Sequence, residues 1–133
     1  MFLIGVPLLV ITFAIYNMIA FLTPGVNFLA PVFSVHMVSG AEWPVTVSDV
    51  LLTLALVLLF IEIIKATRIG SRTLVDHMLS TVLFIVMIVE FILLPQAATS
   101  TFFLLIVISL VDVIGGYSVT IRTSQRDIAL DNP

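Results

Sequence analysis

The amino-acid sequence predicts an all-α membrane protein, a four-helix transmembrane bundle with a small outward-facing β-hairpin between helices 1 and 2. Three observations carry this reading. Of the 133 residues, 61% are hydrophobic and 10% charged, with a mean hydropathy of +1.30. Soluble domains have roughly 45–50% apolar and about 25% charged residues, and a water-soluble fold of this size would expose large apolar patches. Second, there are four apolar runs, each near the roughly 20 residues that span a hydrocarbon core of about 30 Å. Third, the stretch after the first run changes to short β-rich segments around a turn signal.

The first run covers 2–22 and holds no charged side chain. It lacks a basic lead and a small-residue cleavage pattern, so it reads as a span and not as a signal peptide. Pro7 is expected to kink it, and Thr23-Pro24-Gly25 ends it. The outer stretch 23–48 follows. Its residues 32–38 read Val-Phe-Ser-Val-His-Met-Val and its residues 41–48 read Ala-Glu-Trp-Pro-Val-Thr-Val-Ser, with Ser39-Gly40 between. Two such runs around Ser-Gly predict a hairpin. Pro44 must then lie on an edge or a bulge, and Trp43 suits the headgroup level.

Ser48-Asp49 is the expected N-cap of helix 2, which runs over about 49–67. A short polar loop makes helices 2 and 3 expected antiparallel neighbours. Helix 3 is expected over 74–94, ending before Pro95, and helix 4 over 100–121. The tail 122–133 is polar and reads as cytoplasmic and frayed at its end. All five basic residues, Lys65, Arg68, Arg72, Arg122 and Arg126, flank the second loop or follow helix 4. The positive-inside rule therefore puts that loop and both termini in the cytoplasm and the hairpin outside. The plan is that of a bacterial inner-membrane protein, one domain over 1–133.

Composition excludes several functions. No cysteine is present, so disulfides, thiolate metal sites and thiol redox chemistry are absent. No basic arm suits nucleic acid. No nucleophile elbow, zinc-protease helix or phosphate-binding glycine loop occurs. His36 and His77 fall on opposite sides of the membrane, so no metal or haem site is expected, nor any other cofactor.

Three acids inside apolar runs need a reason, because an intramembrane charge costs about 2.5–3.5 kcal/mol on insertion scales. They are Glu62, Glu90 and Asp112. At about 1.5 Å per residue, Glu62 and Asp112 share a level toward the cytoplasm and Glu90 lies near the outer end of helix 3. Ser109, Asp112, Gly116 and Thr120 form one small, polar face of helix 4, suited to close packing. One reading makes Glu62 and Asp112 a protonatable site reached from the cytoplasm. The other pairs Glu62 with Lys65 or Arg68, and Asp112 with Arg68, Arg72 or a hydroxyl. Glu90 has no cation at its depth, and Asn17 or Tyr16 of helix 1 is its expected hydrogen-bond partner. Asp76 reads as a helix N-terminal charge and His77 as an interfacial polar residue.

Four spans in this length resemble small multidrug transporters, whose early membrane glutamate has no counterpart in helix 1. A β-element after the first span resembles the claudin plan, without its Trp and Cys pattern. Each resemblance is to general plan and carries over no residue. The expected function is a non-catalytic accessory or structural subunit that meets the lipid bilayer and other membrane subunits, or itself. His36, Trp43 and Gly116 are its candidate contacts. The alternative is an oligomeric proton-coupled small transporter or channel using Glu62 and Asp112.

Overall fold

The computed structural model describes residues 6–68 and 70–131, with 71–72 and 127–131 as backbone alone. In chain order the elements are α1 (Leu9–Leu22), β1 (Pro31–His36), β2 (Glu42–Thr46), α2 (Val47–Lys65), α3 (Ser71–Leu93), a 3-10 turn (Pro95–Ala97) and α4 (Ser100–Asp131). Three helices, α2, α3 and α4, are long and apolar enough to cross a membrane. The helix α1 has 14 residues, fewer than the roughly 20 a straight span needs.

The first helix does not begin at residue 2. Residues 1–5 lie outside the described part, residues 6–8 are not helical, and α1 starts at Leu9. Pro7 stands just ahead of the first turn, where its missing N–H removes no helical hydrogen bond. It therefore marks a start and not a kink.

The hairpin is antiparallel, pairing Phe33 with Val45, Ser34 with Pro44, Val35 with Trp43 and His36 with Glu42. A bulge separates Pro31 from Phe33. At the tip, Met37 N–H donates to Ala41 O at 2.8 Å and Gly40 N–H to Met37 O at 2.9 Å. Gly40 has φ +92°, the left-handed conformation that closes a three-residue loop and that glycine adopts freely.

The start of α2 is two residues earlier than expected, because Thr46 is the cap. Its hydroxyl accepts Asp49 N–H at 3.1 Å, and Asp49 Oδ2 accepts Thr46 N–H at 3.0 Å. This is a reciprocal capping box. At the other end, α4 passes residue 121 and continues to Asp131. The stretch 122–131 contains no Gly or Pro to stop it.

Helices α2 and α3 are not the packed neighbours the short loop suggested. The most extensive helix contacts are α4 with α2 and α4 with α3, while α2 and α3 share no comparable interface. The small residues of α4 let both flanking backbones approach it. The core is aromatic at the hairpin end. Tyr16 and Phe102 are fully buried, the Tyr16 ring stacks on Phe28 at 4.5 Å between centroids, and the Phe102 ring lies tilted against it at 4.7 Å. Phe28 thereby anchors the segment leading into the hairpin.

Candidate functional site

The inward face of α2 follows a 3,4 spacing through Leu51, Ala55, Leu58, Glu62 and Lys65. That spacing aims one carboxylate and one ammonium into the bundle. Glu62 Oε1 accepts Lys65 Nζ at 2.8 Å and the backbone N–H of Leu8 at 2.7 Å. Lys65 Nζ also donates to Val6 O at 2.8 Å and lies 3.3 Å from Asp76 Oδ2. Both side chains are buried, 3% and 8% exposed. The pair therefore satisfies the polar groups at the non-helical start of α1 and ties α1, α2 and α3 together. A carboxylate at a helix N-terminus meets free N–H groups and the favourable end of the dipole.

Asp76 and His77 do not face the interface. Asp76 lies in the second turn of α3, beyond the end of the dipole, and both side chains are buried. The reason is the α4 face opposite. Thr120 Oγ1 lies 2.7 Å from His77 Nε2 and donates to Ala66 O at 2.6 Å. A hydroxyl has one proton. With that proton committed to the Ala66 carbonyl, Thr120 must accept from His77, so Nε2 carries the hydrogen. The His77 ring also packs on Tyr117 at 4.7 Å.

Asp112 is 4% exposed, with Ser80 against its carboxylate and Glu62, Lys65 and Asp76 within electrostatic reach. Among the described residues no cation forms an ion pair with it. The Arg72 side chain, one of its expected partners, lies outside the described part. Asp112 Oδ2, Asp76 Oδ1 and Ser109 Oγ are buried atoms without a hydrogen-bond partner. Glu62 and Asp112 therefore stand within one electrostatic cluster, in which Glu62 Oε1 has two donors and Asp112 Oδ2 has none. Among the described residues no three His, Asp or Glu side chains converge to hold a metal.

Gly116 is buried against His77. A methyl group placed there would lie 3.1 Å from His77 Cε1, 3.4 Å from Nδ1 and 4.0 Å from Asp112 Oδ1. The sequence suggested Gly116 as a partner contact and His77 as an interfacial polar residue, whereas the two pack on one another. The signal was the spacing of Gly116 and Thr120, which makes a helix surface open enough to take an aromatic ring.

Glu90 stands apart from this cluster. Asn17 lies beside it and donates its own amide to Phe13 O at 3.0 Å. Glu90 Oε2 is buried without a partner. Tyr16, the other expected partner, instead donates to Gln96 O at 2.9 Å and meets Thr99 Oγ1 at 2.8 Å.

On the hairpin, His36 is exposed and paired with Glu42. Trp43 is 50% exposed beside Val50 and Leu56 of α2. The two hairpin edges differ. Met37 and Ala41 form a bonded pair, so the alternation of an antiparallel ladder turns Ser34 and His36 outward on β1, and Glu42, Pro44 and Thr46 outward on β2. Pro44 has no N–H, and that of Thr46 goes to Asp49. The β2 edge thus keeps only the Glu42 N–H as an outward donor, at the tip, while the β1 edge keeps those of Ser34 and His36. No protein family, no curated protein and no solved structure matches the chain.

Proposed function

We propose that the chain is a four-span integral membrane protein of a bacterial inner membrane, with cytoplasmic termini, acting as a non-catalytic subunit. It associates with other membrane proteins, or with itself, through its outer hairpin. The open β1 edge is the observation that carries this reading. Outward N–H and C=O groups at Ser34 and His36 are a template for an added strand, while Pro44 and Asp49 protect the opposite edge. The scarcity of water-facing surface and the lack of a catalytic motif agree with it.

The chain lacks cysteine, so a single introduced thiol reports alone. Ser34→Cys in native membranes should form a crosslink to one partner or to a second copy, and Glu42→Cys should not. Equal crosslinking at both positions, or none at either, would remove the hairpin from the reading.

A second reading is a proton-coupled transporter or channel. The buried, unpartnered oxygen of Asp112 favours it, and Asp112 is then its central residue, with Glu62 in a supporting part. Vesicles containing the purified protein and a pH-sensitive dye test it. Proton flux that persists unchanged in Asp112→Asn would end that version.

A further inference from the structure

We propose that His77 and Asp112 hold one exchangeable proton between them, across the gap that Gly116 leaves between α3 and α4. The inference stands on three observations. Thr120 gives its proton to Ala66 O and accepts from His77, which fixes the ring hydrogen on Nε2. In the neutral ring Nδ1 is then a bare acceptor. Nδ1 and Asp112 Oδ1 both border the space that a Gly116 side chain would fill, at 3.4 and 4.0 Å from its Cβ position. Two acceptors thus border one space beside the buried Asp112 carboxyl, whose other oxygen, Oδ2, has no hydrogen-bond partner. A hydrogen held between the two groups answers both, since a buried acceptor left without a donor is unfavourable. One turn away, Ser109 Oγ is 1% exposed and has no partner, so the interior around Asp112 has polar capacity that the chain itself leaves unused.

The surrounding charges fit a proton and not a metal ion. From α2 come Glu62 and Lys65, and from α3 come Asp76 and Ser80. From α4 comes Tyr117, against the His77 ring, and α1 contributes backbone, through Val6 O and Leu8 N–H. Lys65 is already engaged by Glu62, Asp76 and Val6. It supplies no hydrogen to Asp112. The proton step is simple: the hydrogen passes between Asp112 Oδ1 and His77 Nδ1, and no other bond forms or breaks. Thr120 is a positioning residue, since it acts by holding the ring tautomer. The site lies at the end of the bundle where α2 leads into α3. If the transporter reading holds, this is its proton-binding site, but the site does not depend on that reading.

The chain has two histidines, so nitrogen-15 NMR of histidine-labelled full-length protein in lipid nanodiscs resolves them, with exposed His36 as the internal reference. The pH at which the His77 Nδ1 signal titrates should move by about one unit or more in Asp112→Asn, a roughly ten-fold change in proton affinity. It should stay in place in Glu90→Gln. In Thr120→Val the fixed tautomer should be lost, with Nδ1–H and Nε2–H forms both present. An unchanged His77 titration in Asp112→Asn overturns the proposal. If Asp112→Asn does not fold, Thr120→Val and Gly116→Ala decide, and His77 signals unaltered in both overturn it equally. A titration that shifts without any proton flux in vesicles keeps the site and ends the transport reading.

Discussion

Glu62 on α2 caps the start of α1: its Oε1 accepts the Leu8 N–H at 2.7 Å, 54 residues away in the chain. The same oxygen takes Lys65 Nζ at 2.8 Å, so one carboxylate answers both a helix end and a cation. Lys65→Met should be the most damaging change here. It strands Glu62 and Asp76 without their shared cation and leaves Val6 O unpaired. Breaking one side of a buried pair costs about 3–5 kcal/mol. Glu62→Gln keeps an oxygen for Leu8 but turns part of the group into a donor facing Lys65, and should cost about 1–3 kcal/mol. Reversible unfolding in mixed micelles measures both. In the double variant the cost should fall below the sum, because the two changes remove one network.

Tyr16 is the second prediction. Its hydroxyl donates to Gln96 O, so it accepts from Thr99, whose oxygen in turn takes the Phe102 N–H at 3.1 Å. One phenol thus closes the turn from α3 into α4. Tyr16→Phe removes that closure and keeps the ring stack on Phe28, so it should cost about 1 kcal/mol. Phe102→Ala empties the fully buried centre of the aromatic cluster and should cost about 3–5 kcal/mol. The same unfolding measurement compares them. Equal losses would mean that the ring and the hydroxyl cannot be separated.

These sites differ in how far the sequence reveals them. The hairpin was legible because its signals are local: Ser39-Gly40 forces the turn, and β-branched residues alternate beside it. Long apolar runs likewise announce α2, α3 and α4. The shared depth of Glu62 and Asp112 followed from helix rise alone. The cap on Leu8 was not legible, since no local pattern at Glu62 tells that a helix on another element begins just after Pro7. The position of α4 between α2 and α3 was hidden for a related reason. Loop length limits which helices can touch, and the small face of α4 decides which do. His77 was misread because its polarity and its closeness to a basic loop suggest the interface, while its ring is taken in by Gly116 and Thr120 more than 35 residues later.

The capping box gives a third prediction, with a functional readout. Thr46→Ala and Asp49→Ala should each destabilise the start of α2 by about 1 kcal/mol, and together by less than the sum. Asp49→Ala also frees the Thr46 N–H that Asp49 Oδ2 now accepts. The β2 edge then gains an open donor. Crosslinking from Glu42→Cys should rise in the Asp49→Ala background and stay low in its absence. A helix loss without new crosslinking would restrict Asp49 to capping.

The adjacent glycines of α4 should respond in opposite directions. Around Gly115 no atom lies within 4 Å of an added Cβ, whereas at Gly116 the His77 ring stands 3.1 Å from it. Neither glycine has positive φ, so backbone conformation does not demand glycine at either. Gly115→Ala therefore gains helix propensity with no clash and should stabilise by up to about 1 kcal/mol. Gly116→Ala gains the same propensity but must push the ring away from Thr120, and overpacking costs about 1–3 kcal/mol. Its net effect should be destabilising. The clash also has a chemical consequence, because displacing the ring releases the Nε2–H from Thr120 and widens the separation of Nδ1 from Asp112. Paired melting curves of the two variants in one detergent check the sign. Stabilisation by both alanines would show that the ring moves aside freely and that Gly116 is not needed to seat His77.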